Sequence, residues 1–159
     1  MAETQTIRRL PRQSPGGRVV HCIRMGAADS LRLAVCSEKP EWFVGHWQGS
    51  YTIRCTGDHL TCEGCLHLDP IREKGYLTVR TLVHCQPLLL ELTGGAGDYL
   101  EEAFPDVESI RGHWIRVFRM RPHKNAPLVI ERLEPVAEDF ELPPHQDPLP
   151  TLLRLWKSK

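Results

Sequence analysis

The chain has 159 residues, six cysteines and 20 acidic against 20 basic residues, with a sequence pI of about 7.1. This length, with 41% hydrophobic residues, allows one domain with a sizeable core and is short for two. Zero net charge excludes attraction of the whole molecule to duplex DNA or an anionic membrane, so any nucleic-acid site must be a local patch. No long apolar run and no signal-like N-terminus is present, which predicts a cytoplasmic protein without membrane association.

Residues 1–27 are rich in arginine and interrupted by proline and glycine. Five arginines stand against one acidic residue, Glu3, and no hydrophobic period runs through the segment. This composition predicts a flexible basic N-terminal arm, which is either a solvated tail or a segment that folds onto nucleic-acid phosphates.

Alternation of apolar and polar residues predicts an antiparallel sheet over residues 28–134. It recurs at 31–35, 47–54, 76–80 and 114–118, and shorter apolar strands are expected at 88–92 and 128–133. One short helix is predicted from Asp98 to Phe104, because Asp98 can cap it and Pro105 would end it. This order fits a mainly β, small OB-like barrel, and a small sandwich fits nearly as well.

Residues 135–159 change composition again. They begin as an acidic, proline-rich linker and end in an apolar and basic peptide. The peptide is predicted either to bind the groove of a partner protein or to pack back on the domain as a strand or helix. Its candidate partner-binding residues are Leu152, Leu153, Leu155 and Trp156.

Three cysteines fall within eleven residues as Cys55-x6-Cys62-x2-Cys65, which indicates a metal site. Without an export signal the thiols are expected to be reduced, so metal binding is favoured over disulfides. Two residues between Cys62 and Cys65 let both thiolates turn toward one ion, and Gly64 can take the positive φ that such a turn often needs. Three thiolates and one imidazole suit a tetrahedral, structural zinc ion.

The fourth zinc ligand is predicted to be His46. His46 and Cys55 are nine residues apart, which would place them on opposite faces of an ideal strand. A bulge at Gly49 or a departure from the strand near Cys55 is therefore required. The alternatives for this ligand are Cys85, His67 and His59.

With this ligand set, residues 41–133 resemble the zinc-containing OB-fold single-stranded DNA-binding proteins of the phage gene-32 type. Those proteins hold zinc with one histidine and three cysteines in the same order, so the resemblance implies ligation by His46, Cys55, Cys62 and Cys65. Residues 88–93 and 111–119 also look like a pattern in uncharacterised bacterial proteins with a similar cysteine cluster. Single-strand binders typically end in an acidic, partner-recruiting peptide, whereas this chain ends in an apolar and basic one.

Two predicted strands interleave aromatic and basic side chains, as stacking of bases beside phosphate contacts requires. If Ile115 and Val117 face the core, Trp114, Arg116 and Phe118 share the opposite face. The alternative is that Trp114 and Phe118 belong to the core. The predicted nucleic-acid-binding residues are Arg54, Arg72, Lys74, Tyr76, Arg80, Arg111, Trp114, Arg116, Phe118, Arg119, Arg121 and Lys124.

The sequence favours a zinc-stabilised protein that binds single-stranded nucleic acid, expected to be DNA. It would act as an accessory factor in replication, recombination, transposition or defence, with the C-terminal peptide contacting a protein of the same pathway. The alternative is a protein-interaction adaptor that uses a zinc-shaped surface and that peptide. No enzyme is predicted: the chain has no Gly-rich phosphate loop, HExxH motif or zinc-deaminase signature, and Glu63 is the only carboxylate close to the knuckle.

Overall fold

The computed structural model describes residues 7–10, 16–105, 107–123 and 126–156. Within these ranges a single sheet forms along the order β1-β4-β6-β3-β8-β9, with β5 paired to β4 and β7 paired to both β6 and β2. The β1–β4 and β2–β7 pairs are parallel and the others are antiparallel. The strands are β1 (Ile7–Arg9), β2 (Cys22–Ile23), β3 (Ser30–Val35), β4 (Glu41–Trp47), β5 (Thr52–Arg54), β6 (Ile71–Arg80), β7 (Leu88–Leu92), β8 (His113–Arg119) and β9 (Leu128–Pro135).

The mainly β prediction is confirmed, while closure of the barrel is not. No pairing joins β1 to β9 among the strands that the structure describes, so these strands form an open sheet. The described residues form three helices where one was predicted: α1 (Glu63–Leu66), α2 (Gly94–Ala103) and α3 (Leu149–Leu155).

Helix α2 begins four residues before the predicted start at Asp98. Its N-cap is Thr93, whose backbone is extended. The glycines that follow disfavour a helix by propensity, and packing outweighs that preference because Ala96 and Leu100 are buried against the sheet.

The largest core lies between α2 and one face of the sheet. Alternate residues of the central strands point into it, as the period-two pattern predicts. Helix α2 and the Trp42 side chain complete this core on the side away from the C-terminal segment. Its fully buried strand residues are Leu33, Val35, Leu77, Val79, Leu90, Leu92, Ile115 and Val117.

A second core lies on the other face and is built from both ends of the chain. Leu10 and Val20 from the N-terminal segment meet Leu152 and Trp156 from α3, over Phe43, Tyr76 and Leu89 of the sheet. The described part of the expected flexible arm therefore forms β1 and β2 and contributes to the core. Likewise, the expected linker and peptide run back over the sheet, which agrees with the alternative of a packed C-terminal helix.

A hairpin of β4 and β5 prepares the metal site. Gly49 has a φ of +88° in the turn, where the Gln48 amide donates to the Tyr51 carbonyl. Residue His46 consequently lies opposite Ile53, and Cys55 follows directly after β5. The turn reverses the chain between His46 and Cys55, so the two residues come together without a bulge in one long strand. Across the described part of the chain, none of the three helices is long and apolar enough to span a membrane.

Candidate metal centre and predicted binding residues

Four residues from three local elements converge on one point. His46 comes from β4, Cys55 follows β5, and Cys62 and Cys65 flank the first turn of α1. Their ligand atoms all lie within 4.8 Å of one another, and only Cys65 is incompletely buried. This His/Cys cluster could hold a metal ion, and it unites the four residues that the sequence predicts as ligands.

Two distances between ligand atoms match the edges of a tetrahedral zinc site. Cys55 Sγ and Cys65 Sγ are 3.9 Å apart, and Cys65 Sγ lies 3.4 Å from His46 Nε2. A tetrahedral zinc ion at ordinary bond lengths would separate two sulfurs by about 3.8 Å, and a sulfur from a nitrogen by about 3.5 Å. These two distances, with all four ligand atoms within 4.8 Å of one another, are compatible with a four-coordinate site.

The outer contacts of His46 fix which ring nitrogen faces the cysteines. Its Nδ1 lies 3.1 Å from the backbone carbonyl oxygen of Asp69, and since a carbonyl only accepts, Nδ1 must donate the hydrogen. The lone pair is then on Nε2, the atom nearest Cys65. An imidazole held by a carbonyl in this way is the usual arrangement of a histidine metal ligand.

Gly64 serves the site by close approach and not by unusual backbone geometry. It lies inside α1 and is not among the residues with positive φ, which differs from the expectation for the knuckle. A Cβ at this position would lie 2.2 Å from His46 Cγ and 2.3 Å from its Cδ2. The imidazole therefore packs on the bare backbone of the knuckle, and no side chain larger than hydrogen fits there.

The thiols of the cluster differ in acidity. Burial opposes ionisation of Cys62, but backbone hydrogen bonds at Cys65 and Thr56, a hydrogen bond with the Cys65 thiol and the nearby His46 lower its pKa to about 6. Burial and the neighbouring cysteines raise the pKa of Cys65 to about 12. Cys62 therefore ionises more readily than Cys65, and a bound cation would favour the second thiolate beside the first.

The alternatives for the fourth ligand lie outside the cluster. Cys85 is exposed in the loop after β6, and His59 and His67 are exposed in the loop around α1. Among the described residues, the cluster consists of the four predicted ligands.

Several predicted nucleic-acid-binding residues are buried beneath the C-terminal segment. Tyr76 is fully buried with its hydroxyl on Glu91, and Trp114 packs against Phe140 with ring centroids 5.1 Å apart. The Arg80 guanidinium lies 3.8 Å from the centre of the Phe140 ring and donates to the Glu141 carbonyl. These side chains do lie on the face opposite the main core, as predicted, but residues 137–156 cover that face.

Two further arginines of the predicted set hold backbone carbonyls. Arg111 donates to the carbonyls of Cys36, Leu142 and Pro143. Arg119 donates to those of Met25 and Ala126. Their hydrogen bonds join separate segments of the chain, so the prediction that these groups face a ligand finds no support in their contacts.

The remaining predicted residues differ in exposure. Arg116 and Phe118 stack on β8, with the guanidinium 4.9 Å from the ring centre, and Arg116 also pairs with Glu131 at 2.7 Å. Arg121 is exposed after that strand. Arg72 is exposed and Lys74 pairs with Glu91 at 2.9 Å, Arg54 is half-buried, and Lys124 lies outside the described residues.

A shallow groove of about 390 Å³, open to solvent, lies beside β8. Four predicted nucleic-acid-binding residues, Arg116, Phe118, Arg119 and Arg121, contribute to its wall. Its opposite wall is formed by the turn before β3, where Asp29 is engaged by the Gly26 amide at 2.6 Å. We call this feature the β8 groove, and its complete lining is Ala27, Ala28, Asp29, Ser30, Arg116, Phe118, Arg119, Met120, Arg121 and Pro122.

The predicted partner anchor is largely inaccessible. Leu152 is 0% and Trp156 1% exposed in the second core, and Leu153 packs against it. Leu155, at 40%, is the exposed member. Helix α3 therefore acts as a structural element of the domain, because its apolar side is already occupied.

A serine, a histidine and a glutamate also lie in a chain of contacts. Ser37 Oγ is 3.1 Å from His145 Nδ1, and His145 Nε2 is 2.6 Å from Glu41. The order is that of a catalytic triad, but Ser37 is fully buried and accepts the Thr78 amide. The contacts therefore attach the C-terminal segment to the sheet.

Two contributors to the metal centre escape prediction from the sequence. Asp69 acts through its backbone carbonyl, which leaves no mark in a residue pattern. Arg9, whose Nη1 lies 3.7 Å from Cys55 Sγ, comes from a segment 46 residues away. Only the pairing of β1 with β4 reveals that Arg9 reaches the site.

Comparison with protein-family models, with curated proteins and with solved structures gave no match. The resemblance to zinc-containing single-strand binders therefore stays a prediction. What the geometry establishes is a mainly β protein with a buried His/Cys cluster able to hold a metal ion.

Proposed function

We propose that the protein is a zinc-stabilised domain that binds single-stranded nucleic acid, most simply DNA, in the β8 groove. Such a domain would serve as an accessory factor in replication, recombination, transposition or defence. The zinc ligands are those predicted from the sequence. Of the predicted nucleic-acid-binding residues, the proposal retains those that line the β8 groove.

The choice of zinc as the metal is supported by the types of ligand atom and by the fact that the protein supplies all four ligands. Three sulfurs and one imidazole nitrogen are soft to borderline ligands, which favour zinc over calcium or magnesium. All four positions of a tetrahedron are supplied by the protein, and such sites are structural. We therefore assign the metal to folding of the loop and the binding function to another surface.

The observation that carries the binding proposal is the composition of the β8 groove. The groove is open to solvent, so an extended strand could enter it from the surface. Phe118 offers a partly open ring and Arg121 an exposed guanidinium beside it. Stacking of a base with a neighbouring phosphate contact is the usual combination for single strands.

Binding of a labelled oligothymidylate across salt concentrations tests this function. We expect Arg121→Gln to weaken binding and to reduce the slope of log affinity against log salt by about one, because one phosphate contact is removed. Arg154→Gln is the matched control, since Arg154 is exposed on α3 and lies outside the groove lining. Absence of affinity at low salt, or equal effects of the two variants, would reject the groove as a binding site.

A protein-interaction adaptor is the second candidate, and the loop around α1 favours it. Leu60 and Leu68 are 85% and 88% exposed, and no lysine or arginine occurs between residues 55 and 71. An apolar, acidic loop suits a protein partner better than a phosphate chain. A Leu60→Ser/Leu68→Ser double variant that still binds oligothymidylate but loses a partner isolated with the wild type would support this role.

A further inference from the structure

The N-terminal strand reaches the metal cluster through one side chain. The Arg9 guanidinium lies 3.7 Å from Cys55 Sγ. Its stem crosses Gly57, which has a φ of +80° and where a Cβ would lie 2.7 Å from Arg9 Cδ. The Arg9 side chain therefore lies directly over the backbone of Gly57, where a larger residue would displace it.

The position of Arg9 also follows from the pairing of β1 with β4. Strand β1 pairs with β4 so that Arg9 lies opposite Val44, two residues before His46 on the same strand. Val44 packs in turn against Cys55 and Cys62. The next residue, Leu10, is 1% exposed in the second core, which fixes the backbone on the other side of Arg9, although Arg9 itself is exposed.

A zinc-loaded cluster would carry a net negative charge, which the Arg9 guanidinium could offset. Three thiolates, one neutral imidazole and a divalent zinc ion sum to one negative charge. Arginine stays protonated at any pH at which the protein is folded, and its N–H groups donate well to an anionic acceptor. A guanidinium 3.7 Å from Cys55 Sγ would thus offset the residual negative charge of the loaded site.

We propose that Arg9 is a positioning residue of the metal centre that couples metal binding to docking of β1 on β4. The inference rests on the proposed zinc site. Since the coupling free energy is reciprocal, the factor by which Arg9 strengthens metal binding is the factor by which the metal favours the docked strand. Metal loss would loosen the pairing of β1 with β4, whereas metal loading would favour it.

Transfer of zinc from the full-length protein to a chromogenic chelator tests the first half of the coupling. Arg9→Gln is expected to release zinc about tenfold faster than wild type, the lower end of the effect of removing an outer-shell partner. Arg9→Lys should fall between them, because it keeps the charge without the planar fork. Arg8→Gln is the matched control on the same strand: Arg8 pairs with Glu41 at 3.3 Å, and its loss should leave the release rate unchanged.

Hydrogen exchange of wild-type protein tests the second half without any substitution. Residues 7–10 should lose protection when zinc is removed, while the β3–β8 pair keeps it. Unchanged protection of 7–10, or release from Arg9→Gln at the wild-type rate with full zinc content, overturns the coupling and leaves the zinc site standing. A wild-type protein that takes up no zinc overturns the zinc site and the coupling together.

Discussion

His46 can approach the cysteines because Gly64, which lies against its ring, has no side chain. Gly64 and His46 approach so closely that a methyl group would overlap the imidazole carbons. The neighbouring atom is part of a buried ring whose Nδ1 is tied to the Asp69 carbonyl, so it has little freedom to move away. The glycine of the knuckle is thus as necessary to the cluster as its ligands.

We expect Gly64→Ala to disrupt the metal centre. Overlap with a packed side chain typically costs about 1–3 kcal/mol, and here relief requires moving a ligand. Zinc content by elemental analysis should fall below one ion per chain, and chelator transfer should accelerate. Gly95→Ala is the control, because its Cβ would meet nothing within 4 Å; equal zinc content in both variants would contradict this role of Gly64.

The six cysteines should differ sharply in reactivity toward iodoacetamide at pH 8. Burial and Glu91 raise the pKa of Cys22 to about 12, and burial raises that of Cys36 to about 11. The nucleophile is the thiolate, so at a pH far below these values both residues should react slowly. Exposed Cys85 should be modified first.

Mass spectrometry of the alkylated peptides measures this order. In zinc-loaded protein the three cluster cysteines should be protected, since metal-bound thiolates are shielded, and chelation should expose them. Rapid modification of Cys55, Cys62 and Cys65 in protein that retains its zinc would contradict their assignment as ligands.

At the scale of elements, the C-terminal segment determines which side chains on one face of the sheet remain accessible. Arg80 and Arg111 donate to its backbone carbonyls, Phe140 lies between Trp114 and Arg80, and His145 bridges to Glu41. Helix α3 then completes the second core. The segment behaves as an integral layer of the domain and not as a linker.

Truncation of Trp156 should therefore destabilise the whole domain. It is 1% exposed against Phe43 and Tyr76 in the second core, and loss of a buried large aromatic side chain typically costs about 3–5 kcal/mol. Urea unfolding of Trp156→Ala measures the free energy of unfolding. Leu155→Ala, at a 40% exposed position of α3, should change the free energy of unfolding by no more than about 0.5 kcal/mol. Equally small effects of both variants would instead favour an anchor that is free to bind a partner.

The same elements show how far the sequence predicts this fold. Period-two alternation identifies Leu77, Val79, Ile115 and Val117 as inward-facing, because a side chain's face follows from its position in the strand. It cannot tell that Trp114 and Arg80 are covered, since the covering residues come from a segment without any period. The metal ligands were predictable because cysteine spacing is a local property, whereas Arg9 depends on long-range strand pairing.

At the scale of the whole molecule, the metal centre and the main core are separate. The main core contains none of the four ligands, and the three cysteines form a separate apolar cluster with Val44. Small zinc fingers unfold without their ion because they have no other core. This domain should instead remain folded without metal and lose stability mainly in the loop of α1 and the β4–β5 hairpin.

Removal of zinc should therefore lower the melting temperature while leaving unfolding cooperative. Free zinc at 100 times its dissociation constant would stabilise the folded state by about 2.7 kcal/mol through mass action, so the melting temperature should rise with zinc concentration. Circular dichroism should retain the β signal after chelation, since the sheet around the main core is intact. Cys65→Ser provides the control, because a protein without a complete site should not respond to zinc or chelator; loss of the β signal in chelated wild type would show instead that the metal is required for the entire fold.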